Sequence, residues 1–194
     1  GFAAPIALAS MALGTYFSNV YAGINPQYIA AGVIVLVTIV HSTSLKSGGA
    51  FQNIFTIIKI LLIIAFIVAG FVFTPEPQNV SIIPSSVTWS QVLSSGFAVS
   101  LIFVYYSYSG WNASAYFVSE LKNPAKNLPR SLIIGTLIVT VLYLLVNFIF
   151  LYVSPVSSLT GQLDIGAIVA GDIFGAKGGM IMSGLISLLL ISTI

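Results

Sequence analysis

Long apolar runs separated by short polar stretches dominate this sequence. Six runs cover approximately residues 2–20, 28–43, 50–74, 91–119, 131–154 and 177–194. Most approach the roughly 20 residues that an α-helix needs to cross a bilayer. Stretches such as residues 57–68 and 132–146 are almost continuously apolar, whereas a membrane β-barrel would need short segments of alternating apolar and polar residues. The pattern predicts six transmembrane helices in a single membrane domain over residues 1–194, with the fourth helix broken near residues 107–111.

The composition supports lipid as the surroundings of this chain. Of its 194 residues, 58% are hydrophobic and 5% are charged, and the mean hydropathy is +1.08, whereas about 25% of the residues of a soluble domain are charged. The net charge of +2 comes without a basic cluster, which argues against nucleic acid as a partner. The sequence contains no cysteine, and it offers no reactive constellation of side chains. We therefore expect neither a cofactor, nor a metal, nor an enzymatic activity.

Basic residues indicate how the helices are oriented. Lys46 lies between the second and third segments, and Lys122, Lys126 and Arg130 lie between the fourth and fifth. Two spans separate these loops, so both loops face the same side, which the positive-inside rule makes cytoplasmic. The remaining loops would then be external and carry Glu76, Asp164 and Asp172. Because the sequence starts at Gly1 and ends at Ile194 inside an apolar run, we expect a piece of a longer multi-pass protein.

Lys59 lies within the third apolar segment, about nine residues or roughly 13 Å of helix rise from the start of that segment. A lysine near the centre of a membrane helix costs about 2.5–3.5 kcal/mol on insertion scales, so it usually faces a bundle interior or a polar cavity. One interpretation is a fixed cation where a coupling ion would otherwise bind, or a group that exchanges a proton. The other is a snorkelling residue near a helix end.

The middle of the fourth segment is unusually polar and reads Tyr105-Tyr106-Ser107-Tyr108-Ser109-Gly110-Trp111-Asn112. Glycine and serine hold an α-helix poorly against competing side-chain hydrogen bonds. A broken helix at membrane depth is tolerated where it lines a cavity, and its freed N–H groups can bind a carboxylate. The alternative is a helix-packing face, in which small residues allow close approach. These residues by themselves leave both interpretations open.

Two stretches around this polar centre resemble a known family. Residues 106–112 (YSYSGWN) and 120–130 (ELKNPAKNLPR) resemble the sixth helix and following loop of the amino acid–polyamine–organocation superfamily, and are most similar to its L-amino acid transporter branch. Residues 52–59 (QNIFTIIK) are similar to the fifth helix of that family, and Ser192-Thr193 to part of its eighth. The resemblance implies an all-α, LeuT-like fold of two inverted five-helix repeats. This chain would supply helices three to eight, and so only part of the bundle.

The resemblance also implies which residues form the transport site. Tyr106 would be the aromatic gate over the substrate. The unwound segment and its flank would complete the substrate-binding set, which comprises Ser107, Tyr108, Ser109, Gly110, Trp111 and Asn112. Lys59 would replace the sodium ion of related carriers, beside an ion site that includes Ser192 and Thr193.

The function implied by the resemblance is secondary transport of amino acids, by sodium-independent exchange. Asn112 stands where some relatives place a carboxylate, which favours neutral L-amino acids. The alternatives are a proton-coupled amino acid permease, a polyamine or organic-amine permease, and a sensor that does not transport. Eukaryotic light chains of this branch pair with a heavy chain through a cysteine in the loop that corresponds to about residues 19–27, and this loop has none. We therefore expect an unpartnered, bacterial-type carrier in a plasma or inner membrane.

Overall fold

The computed structural model describes residues 3–43, 48–81, 83 and 86–194, and every regular element within these ranges is helical. The α-helices are α1 (Ala3–Ser18), α2 (Pro26–Thr43), α3 (Gly48–Phe73), α4 (Ser86–Val92), α5 (Ser95–Ser107), α6 (Pro124–Val153), α7 (Val156–Leu159), α8 (Ile165–Phe174) and α9 (Ala176–Ile191). A 3₁₀ helix occupies Ser109–Glu120. The chain forms two compact units, of which the first comprises Gly1–Asn79 and Leu145–Ile194 and the second Val80–Leu144.

Within the described ranges, two helices have the length and composition to cross a membrane, at Gln52–Phe73 of α3 and at Pro124–Val153. Large apolar side chains on these helices are exposed, such as Ile57 at 58% and Leu144 at 68%. Such extensive apolar exposure fits contact with lipid or with further helices. The other apolar helices are shorter, and their spans stay predictions. The all-helical architecture agrees with the predicted fold class at this coarser level.

Helix α6 begins earlier than the apolar pattern predicted. The predicted span starts at residue 131, whereas α6 starts at Pro124, so Lys126 and Arg130 lie in its first two turns and not in a loop. Proline suits the first helical position because a helix start leaves its N–H group unpaired in any case. The preceding Asn123 has a φ of 50°, a left-handed conformation that asparagine tolerates better than most residues. Local backbone chemistry, and not hydrophobicity, therefore sets this helix start.

Close backbone contacts hold the helices of the first unit together. A Cβ atom at Gly14 of α1 would collide with the carbonyl oxygen of Pro26 at the start of α2. A Cβ at Gly179 of α9 would lie 2.8 Å from the carbonyl oxygen of Ala167 in α8. Glycine therefore allows both helix pairs to approach more closely than any larger residue would permit.

Helix α8 lies in a region that the sequence placed in an external loop. It has ten residues, a rise of about 15 Å, which is too short to cross a bilayer. Its buried residues Val169 and Ala170 are fully inaccessible, and Gly175 with a φ of 75° makes the turn into α9. The loop predicted between the fifth and sixth spans is therefore partly a short helix packed on α9.

An aromatic cluster joins the final turns of α3 and α6 within the first unit. The rings of Phe71 and Phe148 are stacked with centroids 6.0 Å apart, and Tyr152 lies 5.7 Å from Phe71 and 5.8 Å from Phe148. The backbone N–H of Gln78 donates to the carbonyl of Tyr152 at 2.7 Å. The C-terminal ends of α3 and α6 thus lie side by side, as expected of two spans that run in the same direction.

Candidate functional site

The candidate site is centred on the junction between α5 and the 3₁₀ helix in the second unit. Helix α5 ends at Ser107, Tyr108 has φ −101° and ψ 4°, and twelve residues of 3₁₀ helix follow. Runs of 3₁₀ helix beyond three or four residues are uncommon, and within a helical path they often mark a hinge or strain. The chain therefore changes helical geometry in the predicted stretch, but it tightens there. We expected an unwound segment at residues 107–110. In the structure Ser107 ends α5, Tyr108 lies between the two helices, and Ser109 and Gly110 begin the 3₁₀ helix.

Serine hydroxyls give this stretch alternatives to α-helical bonding. The Oγ of Ser109 donates to the carbonyl of Tyr106 at 2.7 Å. The Oγ of Ser114 donates to the carbonyl of Trp111 at 2.6 Å. These bonds reach back three residues and satisfy carbonyl oxygens locally. Gly110 adds a further penalty of about 1 kcal/mol against α-helix relative to alanine, so the sequence itself favours a change of geometry here.

Two tyrosines connect the junction to α6: Tyr108 belongs to the junction and Tyr143 to α6. The hydroxyl of Tyr108 donates to Oγ1 of Thr140 at 3.2 Å, and that of Tyr143 donates to the carbonyl of Ser107 at 3.4 Å. The Tyr108 and Tyr143 rings meet edge to face, with centroids 5.4 Å apart and an interplanar angle of 81°. Sequence reasoning missed Thr140 and Tyr143. Their spacing of three residues on one face of an apolar helix was the signal that could have identified them.

A cavity of about 250 Å³ lies between the junction and α6. The junction contributes Ser107, Tyr108, Gly110 and Trp111, and α6 contributes Ser131, Leu132, Gly135, Thr136 and Val139. The volume lies just below the range of about 300–1,000 Å³ for small-molecule pockets, and the lining combines apolar groups with a few polar ones, as is typical of such pockets. The geometry therefore offers space for a small molecule directly beside the change in helical geometry.

The predicted substrate-binding residues have different positions around this cavity. Four of them line it: Ser107, Tyr108, Gly110 and Trp111. Tyr106 lies in the last turn of α5, where its side chain is 47% exposed, and the Trp111 side chain is 63% exposed. The hydroxyl of Ser109 is used in its bond to the Tyr106 carbonyl. The side chain of Asn112 lies outside the described residues. The binding roles of all seven residues stay predictions.

The predicted ion-coupling residues lie in the first unit, where the structure brings two of them together. Nζ of Lys59 on α3 donates to Oγ1 of Thr193 at 2.8 Å, across 134 positions of sequence. The hydroxyl of Ser192 instead donates to the carbonyl of Leu189 at 3.0 Å and closes the end of α9. Lys59 lies about 17 Å of helix rise from the start of α3. The Lys59 ammonium therefore forms a hydrogen bond with a hydroxyl three turns into α3. The role of Lys59 in coupling stays a prediction.

Two aspartates of the first unit lie in polar contacts that tie helices together. Nδ2 of Asn19 donates to Oδ2 of Asp164 at 2.7 Å and to Oγ of Ser183 at 3.3 Å. Oγ of the fully buried Ser154 donates to Oδ2 of Asp172 at 2.5 Å. These contacts link α1 to the start of α8 and α9, and the end of α6 to α8. We interpret both aspartates as structural.

Several known proteins are similar to this chain over most of its length. The sequence model of the amino acid permease family matches residues 2–194. The b(0,+)-type amino acid transporter 1 of Mus musculus is 34% identical over 159 residues, which cover 78% of this chain and 32% of that protein. The methylthioribose transporter of Bacillus subtilis is 29% identical over 86% of this chain and 37% of its own length. The serine/threonine exchanger SteT of the same organism is 27% identical over 89% of this chain and 40% of its own length.

Two apolar helices long enough to cross a membrane within the described ranges, together with a polar change of helical geometry beside a small cavity, are the features expected of part of an α-helical membrane transport protein. The family match over nearly the whole sequence makes the assignment more specific. The chain belongs to the amino acid permease family, within the amino acid–polyamine–organocation superfamily. It spans about a third of the length of the curated relatives that it matches. The matched relatives are transporters and not enzymes.

Proposed function

We propose that the full-length protein containing this chain is a secondary transporter that exchanges neutral L-amino acids across a cell membrane without sodium. The observation that carries this proposal is the switch from α5 to the 3₁₀ helix at Tyr108, beside the cavity of about 250 Å³, in a chain of the amino acid permease family. The polar backbone at this switch would bind the amino and carboxylate groups that all amino acids share. The cavity would receive the part that differs between them.

The lining of the cavity supports a neutral substrate. The nine residues around it are serine, threonine, tyrosine, tryptophan, glycine, leucine and valine, all of them uncharged. A charged substrate side chain placed among these residues would lose its hydration without gaining an opposite charge, which is costly. The relative described as a serine/threonine exchanger supports both the neutral substrate and the exchange mechanism.

The contact between Lys59 and Thr193 supports sodium independence. Sodium is a hard cation and needs several oxygen ligands. The Thr193 hydroxyl oxygen already accepts a hydrogen bond from the Lys59 ammonium at 2.8 Å. An ammonium held at this point would supply a permanent positive charge, so that the protein would need no bound ion there.

The same proposal covers the architecture and location of the protein. The chain would supply six spans, equivalent to helices three to eight of a LeuT-like inverted repeat, as one permease domain. The loops next to Lys46 and Lys122 would face the cytoplasm, in a bacterial-type plasma or inner membrane, with no disulfide-linked heavy chain. Lys46 itself lies outside the described residues.

A permease for another organic solute is the second candidate. It is favoured by the relative described as a methylthioribose transporter, which matches 86% of this chain. A polyamine or organic-amine substrate and a proton-coupled mechanism belong to the same candidate class. The uncharged cavity lining is less suited to a polyamine, because a polyamine carries several positive charges.

Uptake into liposomes that contain the full-length protein tests these candidates. Labelled alanine would be supplied outside, in sodium-free buffer, with and without unlabelled alanine inside. Exchange predicts uptake that is several times faster with internal alanine. Uptake driven by an imposed pH gradient without internal alanine would indicate proton coupling. Binding without flux would indicate a sensor, and transport of methylthioribose but not of amino acids would favour the second candidate.

A further inference from the structure

Three basic residues cluster where α6 begins, outside the candidate site. Lys122 lies two residues before α6, Lys126 lies in its first turn and Arg130 in its second, and all three side chains are exposed. The side-chain amide of Asn127 donates to the carbonyl of Lys122 at 2.5 Å, which ties the segment before the helix to its first turns. The three positive charges therefore follow one another along one end of α6.

The sequence around this end of α6 does not balance the three charges. No acidic residue occurs from Leu121 to Leu163. Glu120, whose side chain lies outside the described residues, carries one negative charge against three positive ones. A positive charge at a helix N-terminus also opposes the helix dipole, which favours anions there. Helix stability thus does not account for Lys126, whereas a bound anion would be favourable for both the side chains and the helix.

The length of α6 places its first turns at the level of lipid headgroups. The helix has 30 residues, a length of about 45 Å. The hydrocarbon core of a bilayer is about 30 Å thick, and the bilayer with its headgroup regions is about 40–45 Å thick. The apolar part of α6, residues 131–153, is about 34 Å long and is sufficient to cross the core. The turns that carry Lys126 and Arg130 then extend into the headgroup layer.

Lys126 and Arg130 continue an exposed apolar stripe on α6. Ile133, Leu137 and Leu144 follow Arg130 along the helix, and all three side chains are exposed. The successive spacings from Lys126 are four, three, four and seven residues, which keep these positions on one face of a helix. This face therefore presents apolar side chains at the depth of the acyl chains and positive charges at the depth of the phosphates.

We propose that Lys122, Lys126 and Arg130 bind the phosphate groups of anionic phospholipids in the leaflet at this end of α6. The guanidinium of Arg130 can donate two parallel hydrogen bonds to one phosphate, and the lysines act as point charges beside it. Phosphatidylglycerol fits this surface because its headgroup carries a phosphate and no cation, whereas the choline of phosphatidylcholine would meet like charges. The inference requires the membrane location of the family but neither the proposed substrate nor the exchange mechanism.

Photoreactive lipids test this inference. The full-length protein would be reconstituted into phosphatidylcholine vesicles that contain a trace of photoreactive phosphatidylglycerol or phosphatidylcholine, and the lipid cross-linked to residues 121–137 would be quantified. A basic residue near an anionic surface contributes about fivefold to binding (about 1 kcal/mol). We therefore expect phosphatidylglycerol to label this segment of the parent about tenfold more than phosphatidylcholine does. Arg130→Gln should lower this excess about fivefold, and replacing all three residues with glutamine should abolish it.

Lys177 provides the matched control. It is also an exposed lysine in the first turn of a helix, α9, so Lys177→Gln removes one charge and should leave the labelling of residues 121–137 unchanged. Salt at about 1 M shortens the screening length to about 3 Å and should reduce the excess in the parent itself, a test that needs no variant to fold. Equal labelling of the parent by both lipids, an excess that resists salt, or an excess that persists in the triple variant would overturn the inference.

Discussion

Replacing Lys59 with methionine in the full-length protein is expected to slow exchange by about ten- to a hundredfold, because a hydrogen bond to a charged group is worth about 1.5–3 kcal/mol. Methionine keeps much of the length of the side chain but removes the donor that reaches Thr193 at 2.8 Å. The variant would lose the fixed cation that links α3 to the end of α9. Exchange rates in liposomes, normalised to the amount of inserted protein, would measure the effect.

The controls separate a coupling role from a surface role. Lys177 is an exposed lysine in the first turn of α9, so Lys177→Met should leave exchange unchanged. Thr193→Val should reproduce part of the Lys59→Met loss, and Lys59→Arg should restore part of the rate, because arginine also donates to a hydroxyl. An exchange rate and pH response of Lys59→Met that equal those of the parent would show that Lys59 only snorkels.

Replacing Gly14 with valine is expected to sharply reduce the yield of folded protein. A Cβ at this position would collide with the backbone oxygen of Pro26, which cannot move aside as a flexible side chain can. Gly14 is buried, so α1 and α2 would have to separate along their contact. Forcing extra atoms into a packed core costs about 1–3 kcal/mol or more. Size-exclusion chromatography after heating would report a midpoint lowered by several degrees.

A glycine on the neighbouring helix provides the comparison. A Cβ built at Gly32 of α2 meets nothing within 4 Å, so Gly32→Ala should keep the thermal midpoint of the parent. Gly14→Ala should give an intermediate loss, because it adds a single methyl group. Equal midpoints for Gly14→Val and the parent would mean that α1 and α2 do not pack as closely as described.

The helical class and the membrane setting could be predicted from the sequence. Long apolar runs without charges leave few alternatives to a membrane helix, and α3 and α6 satisfy the length requirement. Helix α8 could not be predicted in this way, because its ten residues are too few to give a spanning signal and because it packs on α9, a tertiary contact. The early start of α6 was missed because a proline and a left-handed asparagine set it.

The site was only partly predictable for a similar reason. The serines and the glycine of residues 107–110 oppose an α-helix by local chemistry, so a change in geometry could be expected there. The cavity wall on α6 depends on tertiary contacts, such as that of Tyr108 with Thr140, between residues 32 positions apart. The contact of Lys59 with Thr193 spans 134 positions. The resemblance assigned both residues to one ion site, but sequence spacing gave no basis for pairing them.

The most direct test of substrate binding at the junction compares two adjacent tyrosines of α5. Tyr106 is 47% exposed and Tyr105 is 79% exposed, so the same truncation can be made at the proposed gate and beside it. KM for alanine exchange would be measured in liposomes for Tyr106→Ala and Tyr105→Ala. Since an aromatic contact is worth about 0.5–1.5 kcal/mol and every 1.4 kcal/mol is about tenfold, we predict a KM raised about two- to tenfold for Tyr106→Ala and unchanged for Tyr105→Ala. Equal KM values for both variants and the parent would contradict a substrate site at this junction.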